Sequence, residues 1–198
     1  MKVKIAIAAA FLAILSSCIP SVYPLYSPDT IVKEPLLNGT WISAENDTWE
    51  FTMQDNHSYR LVYTANDQPA ILEAYLVKLD GQYYMDFYPV SVAANKDAIF
   101  NKGFFGELEK NGFYFMHFFP VHTFAKVNVQ GNQMGIRLFN PDFLDDLFEQ
   151  RKVRIRHETG KDGNTLLTAP TRDLQKFIIK YGNEQKAFDE DALGLTRK

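Results

Sequence analysis

The sequence predicts a mainly β domain: an antiparallel meander that closes on itself as a barrel, with short helices near 141–150 and 170–181. Three observations predict it. Aromatic residues make up 14% of the 198-residue chain, and such side chains favour pleated, half-buried surfaces. Apolar and polar residues alternate along successive short runs, the period of a strand with one buried face. Turn formers separate these runs about every ten residues, with the helical patterns coming late rather than between the strands.

Taken in order, residues 38–43 (NGTWIS) form the first strand, and 48–53 place Trp49, Phe51 and Met53 on one face. In 57–65, Tyr59, Leu61 and Tyr63 alternate with Arg60, Val62 and Thr64. The runs 71–79 and 82–90 flank Asp80-Gly81, a two-residue loop that is the strongest short-range hairpin signal. On the second of these strands Tyr83, Met85 and Phe87 share one face and Tyr84, Asp86 and Tyr88 the other. Residues 91–106 show no period and read as a loop with one helical turn near 95–100, while 113–119 (FYFMHFF) read as a strand apolar on both faces. A second hairpin joins 121–129 to 133–139 around Gly131-Asn132.

The period then changes. Asn140-Pro141 is a helix start, with a capping side chain and a proline in the first turn. Phe143, Leu144, Leu147 and Phe148 fall on one face of the helix 141–150. Residues 153–158 and 165–168 read as strands around a turn at 161–164. Leu174, Phe177, Ile178 and Tyr181 sit at i, i+3, i+4 and i+7, which predicts a helix opened by Pro170 and stopped by Gly182. Residues 183–188 read as a further short helix, the single domain spans 36–190, and the polar tail 191–198 is expected to fray.

The amino-terminal end has a different logic. Lys2 and Lys4 precede an apolar run, 5–15, far shorter than the roughly twenty residues of a membrane span. Leu15-Ser16-Ser17-Cys18 closes it, with Cys18 the chain's one cysteine. This layout is that of a secretory signal peptide, 1–17. Its end resembles the lipobox of bacterial lipoproteins at all four positions. The resemblance implies cleavage between Ser17 and Cys18, a diacylglyceryl thioether on the Cys18 sulfur and acylation (palmitate-type chains) of the new amino terminus. It places the protein in the cell envelope, on the outer membrane or cell surface in preference to the inner membrane. Residues 18–35, with Pro20, Pro24, Pro28 and Pro35, read as a lipidated, proline-rich tether. Tyr23, Leu25 and Tyr26 are large for a free tether and are expected to pack on the domain surface.

Composition excludes several classes. The net charge is −3, and loss of Lys2 and Lys4 takes it to −5, so no nucleic-acid partner and no basic patch for anionic lipid is expected. With Cys18 acylated no thiol remains for a disulfide, so the fold must stand on its core. No nucleophile elbow, HExxH, phosphate-binding loop or dinucleotide fingerprint is present. His117 and His122 flank Pro120, but their spacing on extended chain argues against a metal site, and no cofactor is implied. Glu50, Glu73 and Asp86 sit in strands; only if two pointed inward would a hydrolase-like pair arise.

Gly39-Thr40-Trp41 resembles the GxW signature on the first strand of lipocalins and related calycin barrels, as in uncharacterised envelope lipoproteins whose domain starts with such a strand. The resemblance implies a barrel with Trp41 closing one end under an arginine from a late strand, for which Arg154 and Arg156 are the candidates. A barrel of this size holds side chains or one small ligand. Tyr83, Phe87, Phe115, His122 and Phe124 are the residues expected to line such a ligand site. The expected function is therefore binding of a small hydrophobic ligand or another envelope component. A structural or assembly subunit without a cavity is the alternative, and a hydrolase the third reading.

Overall fold

The computed structural model describes residues 19–55, 57–89, 120–161, 163–190 and 192–198. The predicted loop 91–106 and strand 113–119 lie outside them, as do Ser17, Cys18 and Phe115. Eight strands form a closed antiparallel barrel: β1 (Gly39–Ser43), β2 (Thr48–Met53), β3 (Tyr59–Ala65), β4 (Gln68–Leu79), β5 (Gln82–Pro89), β6 (Thr123–Gln130), β7 (Gln133–Leu138) and β10 (Leu193–Arg197). Each pairs with its neighbour in the chain, except that β10 inserts between β7 and β1 to close the ring. Before β10 the chain makes an excursion through α1 (Pro141–Glu149), a small hairpin of β8 (His157–Thr159) and β9 (Thr165–Leu167), and α2 (Thr171–Tyr181).

The turns have the chemistry the hairpins require. Asp80 and Gly81 both have positive φ (46° and 75°), as a mirror-image two-residue turn needs. Asn66 and Asp67 (50° and 60°) make the same kind of turn between β3 and β4, where the sequence reading began the strand three residues late. Asn140 caps α1 by accepting from the Asp142 amide at 3.0 Å. Residues 183–188 turn without forming a helix, and 153–156 are extended but unpaired as strands.

The largest correction concerns the carboxyl end. The composition of 191–198 predicts a frayed tail, yet 193–197 are the strand that seals the barrel. Leu193, Gly194, Leu195 and Thr196 pair with β7, and Leu195, Thr196 and Arg197 with β1. A five-residue strand with Leu195 as its one buried side chain is weakly marked in sequence; its place is fixed by two partners whose other edges are already used.

The barrel wall separates two cores. Inside, Trp41, Phe51, Tyr59, Leu61, Leu76, Met85, Met134 and Leu195 join one cluster with smaller neighbours from the same strands. Outside, Val77, Leu79, Tyr84 and Phe124 carry a second cluster, built with Phe139, Leu144, Leu147, Leu174, Phe177, Ile178 and Phe188 from the excursion. Ile19 and Leu25 complete it, so the folded body reaches back beyond Leu36 to Ile19. Ser21 bridges both His122 and Leu167, and Ile31 bridges Val77, which binds residues 19–34 along the wall. Among the described residues no helix is long and apolar enough to cross a membrane.

Candidate functional site

Three places hold polar groups in unusual settings. The first is the barrel end entered by the 3₁₀ turn Pro35–Leu37. Trp41 is fully buried and its indole Nε1–H donates to Leu37 O at 3.0 Å. The Arg197 guanidinium lies over the indole, 4.3 Å from its centroid, and donates to Asn38 O at 2.9 Å and to Leu36 O. Gly39 has φ +123°, and a Cβ there would stand 2.9 Å from Arg197 Nη1, so only glycine fits. The expectation of Arg154 or Arg156 in this role is overturned: both are exposed on the extended stretch after α1, outside the barrel. The geometry locks the barrel end and presents no reacting group.

The second is a buried pair on the outer wall. Asp86 alternates out of phase with Met85 and Phe87, so it faces outward, yet it is fully covered by residues 21–26 and their neighbours. His122 Nδ1 and its Oδ1 share a hydrogen bond at 2.8 Å, and the Leu25 amide donates to its Oδ2 at 2.6 Å. Burial pushes the carboxyl above its ordinary value, against the lowering effect of His122, Leu25 and Tyr26. The His122 ring leans on Tyr88 with centroids 4.4 Å apart, and Tyr26 stacks on Tyr75 at 3.8 Å. Burial also raises Tyr75, whose hydroxyl donates to Glu73 Oε1 at 3.0 Å. An aspartate orienting a histidine is a fragment of acid–base machinery, but among the described residues the His122 side chain makes one hydrogen bond, to Asp86. The pair clasps the amino-terminal segment.

The third is a groove of about 530 Å³ across β1, β10, β7 and the end of β6. Ile42, Asn128, Gln130, Gln133 and Thr196 border it from the outward phase of their strands. Gly135 and Gly194, paired across β7 and β10, put no side chain into it. None of its bordering residues is formally charged. Carboxamides and hydroxyls that both donate and accept suit an uncharged, hydrogen-bonding ligand.

The structure does not gather the five residues expected to line a ligand site. Phe87 faces into the packed interior; Tyr83 is on the same face at the exposed hairpin end. Phe124 and His122 are on the other side of the wall, in the outer core and the clasp, and Phe115 is outside the described residues. Glu73 and Asp86 share the outward phase and Glu50 is exposed, so no inward carboxylate pair arises from these three. Among the described residues no group of three His, Cys, Asp or Glu side chains is placed to hold a metal ion. Sequence reasoning missed Arg197, although Leu193 and Leu195 alternate there, and missed the groove, which no local motif marks. An eight-stranded antiparallel barrel with this closed end is compatible with a lipocalin-like fold and, as an architecture, with ligand binding. Comparison with family models, curated proteins and solved structures finds no match for the chain.

Proposed function

We propose that the chain is an envelope lipoprotein anchored through Cys18, and that its barrel is a non-catalytic binding module that takes its ligand on the wall. The lipobox Leu15-Ser16-Ser17-Cys18 supports the anchor. The observation that carries the binding reading is the groove: a glycine-floored depression of about 530 Å³, bordered by uncharged polar side chains, beside an interior occupied by Trp41, Tyr59, Leu61 and Met85. The ligand class shifts accordingly, from a hydrophobic molecule inside the barrel to an uncharged, hydrogen-bonding group on it, presented by a small molecule or by another envelope component.

Gly194→Leu tests the site, because no atom lies within 4 Å of a Cβ built there and the new side chain enters the groove instead of the wall. Amide resonances of Gln133, Gly135 and Thr196 are expected to shift on titration with chitotetraose or with a capped, uncharged tetrapeptide, and to stop shifting in the variant. Shifts spread over the whole barrel, or none with either probe, would remove the groove from consideration. For the anchor, Cys18→Ala is expected to leave the precursor uncleaved by the lipoprotein peptidase or to release the protein from the membrane fraction; normal lipidated attachment would defeat it.

A further inference from the structure

Basic side chains are concentrated in one place. Arg151, Lys152, Arg154 and Arg156 are all exposed within six residues, in a chain whose net charge is −3. Glu149 and Glu158 flank the stretch, yet among the described residues none of the four forms an ion pair.

The stretch is held rigidly. Helix α1 ends with Arg151 at φ +54° and the Lys152 amide donating back to Leu147 O at 2.9 Å, a helix-terminating loop that fixes the chain's exit. Tyr181 then donates to Lys152 O at 3.0 Å. Val153 and Ile155 pack into the outer core, which leaves Arg154 and Arg156 on the opposite, solvent side of the extended chain.

Its position is set by a short run of backbone bonds. The Thr168 amide donates to Arg156 O, Leu167 to Pro20 O and Val22 to Leu167 O, each at 2.9 Å. His157 pairs with Leu167 and Leu167 with Ser21, so the end of the basic stretch at Arg156 lies two strand spacings, about 10 Å, from Ser21. Ile19 is 4% exposed and packs in the outer core, so the described chain is held against the fold from its first residue.

From this juxtaposition we propose that the face carrying Arg151, Lys152, Arg154 and Arg156 is a docking surface for anionic phospholipid headgroups, which holds the barrel against the bilayer in one orientation. The inference rests on the proposed anchoring through Cys18, which brings this face to the membrane. It reverses the expectation from net charge, because lipid headgroups within a Debye length sense the local cluster rather than the sum.

The test uses the chain from residue 18 carrying Cys18→Ala, so that neither acylation nor the apolar run 5–15 contributes, with vesicles of phosphatidylcholine alone and with about 30% phosphatidylglycerol added. Each basic residue at the surface multiplies partitioning by about fivefold, so the ratio of anionic to neutral binding is expected to exceed about tenfold at low salt and to collapse towards one at high salt. Neutralising all four positions to Gln should abolish the ratio. Arg154→Gln with Arg156→Gln, two exposed changes that spare the α1 terminus, should lower it by at least about fivefold. Lys176→Gln with Lys186→Gln, elsewhere on the surface, should leave it unchanged. A ratio near one for the starting chain, or a ratio that survives neutralisation of the four, overturns the proposal. Failure of the anchor is a separate result, read from membrane fractionation of Cys18→Ala cells, whereas the vesicle ratio stands or falls without a lipid on Cys18.

Discussion

Inside the barrel, Phe51, Leu61, Leu76 and Met85 come from strands that follow one another in the chain and meet through hairpins. Outside it, Leu25, Phe139, Leu174 and Phe188 come from segments far apart in sequence. Thr171 Oγ1 donates to Pro24 O across 147 positions, and Gln175 Nε2 to Leu25 O across 150. The two cores also treat backbone polar groups differently. Strand ladders satisfy the inner core's amides as a matter of course. The amino-terminal segment has only isolated bridges, so the buried amide of Leu25 needs an acceptor brought to it, and Asp86 supplies it. Among the described residues a titratable carboxyl is buried in the outer core, where the inner core buries none.

This contrast can be broken in order of expected effect. Trp41→Ala removes a fully buried indole, its bond to Leu37 and the Arg197 contact, and should destabilise the whole barrel by about 4 kcal/mol in urea unfolding. Loss of only part of the cooperative transition would show the inner core to be divisible.

Asp86→Asn should cost about 3 kcal/mol, because an amide offers one oxygen where the carboxyl offers two, so either the Leu25 amide loses its acceptor or the His122 ring must turn an accepting nitrogen to the new N–H. The first visible consequence should be proteolytic cleavage within 22–34 while the barrel is still folded. Simultaneous loss of both would argue that the clasp and barrel form one unit. The pH dependence sharpens the point. Burial raises the folded carboxyl above its ordinary value, so its contribution is complete below that value and is lost as pH rises through the folded one. The advantage of the wild type over Asp86→Asn should therefore shrink as pH rises from about 4. Growth of that advantage would mean that the donors outweigh desolvation and depress the carboxyl.

Arg197→Gln should cost about 1 kcal/mol through loss of the contact with Trp41, whereas Arg156→Gln should change thermal stability by less than about 0.5 kcal/mol. Equal effects would contradict the assignment of the indole's cation to the last strand.

What could be read in advance follows the same division. The Asp80-Gly81 hairpin and the Asn140 cap depend on residues adjacent in the chain, and both form as expected. The Trp41 environment was half legible: glycine and tryptophan stand two residues apart, but their arginine is more than 150 positions away. Arg154 and Arg156 were the wrong candidates because they precede the excursion's second helix, and the chain reaches the barrel again only at Leu193.

By itself the sequence determined the strand periods, the turns and the two amphipathic helices, since each depends on spacings of a few residues. Only the tertiary structure decided that β10 closes the ring, that residues 19–34 belong to the folded body, and that Asp86 meets His122 on the outer side of the wall. It also decided that two glycines paired across β7 and β10 open a groove and that Arg156 stands one strand away from residues 20–22. Contacts between distant segments leave no local period, because what selects them is the closure of the barrel and the need of each buried polar group for a partner.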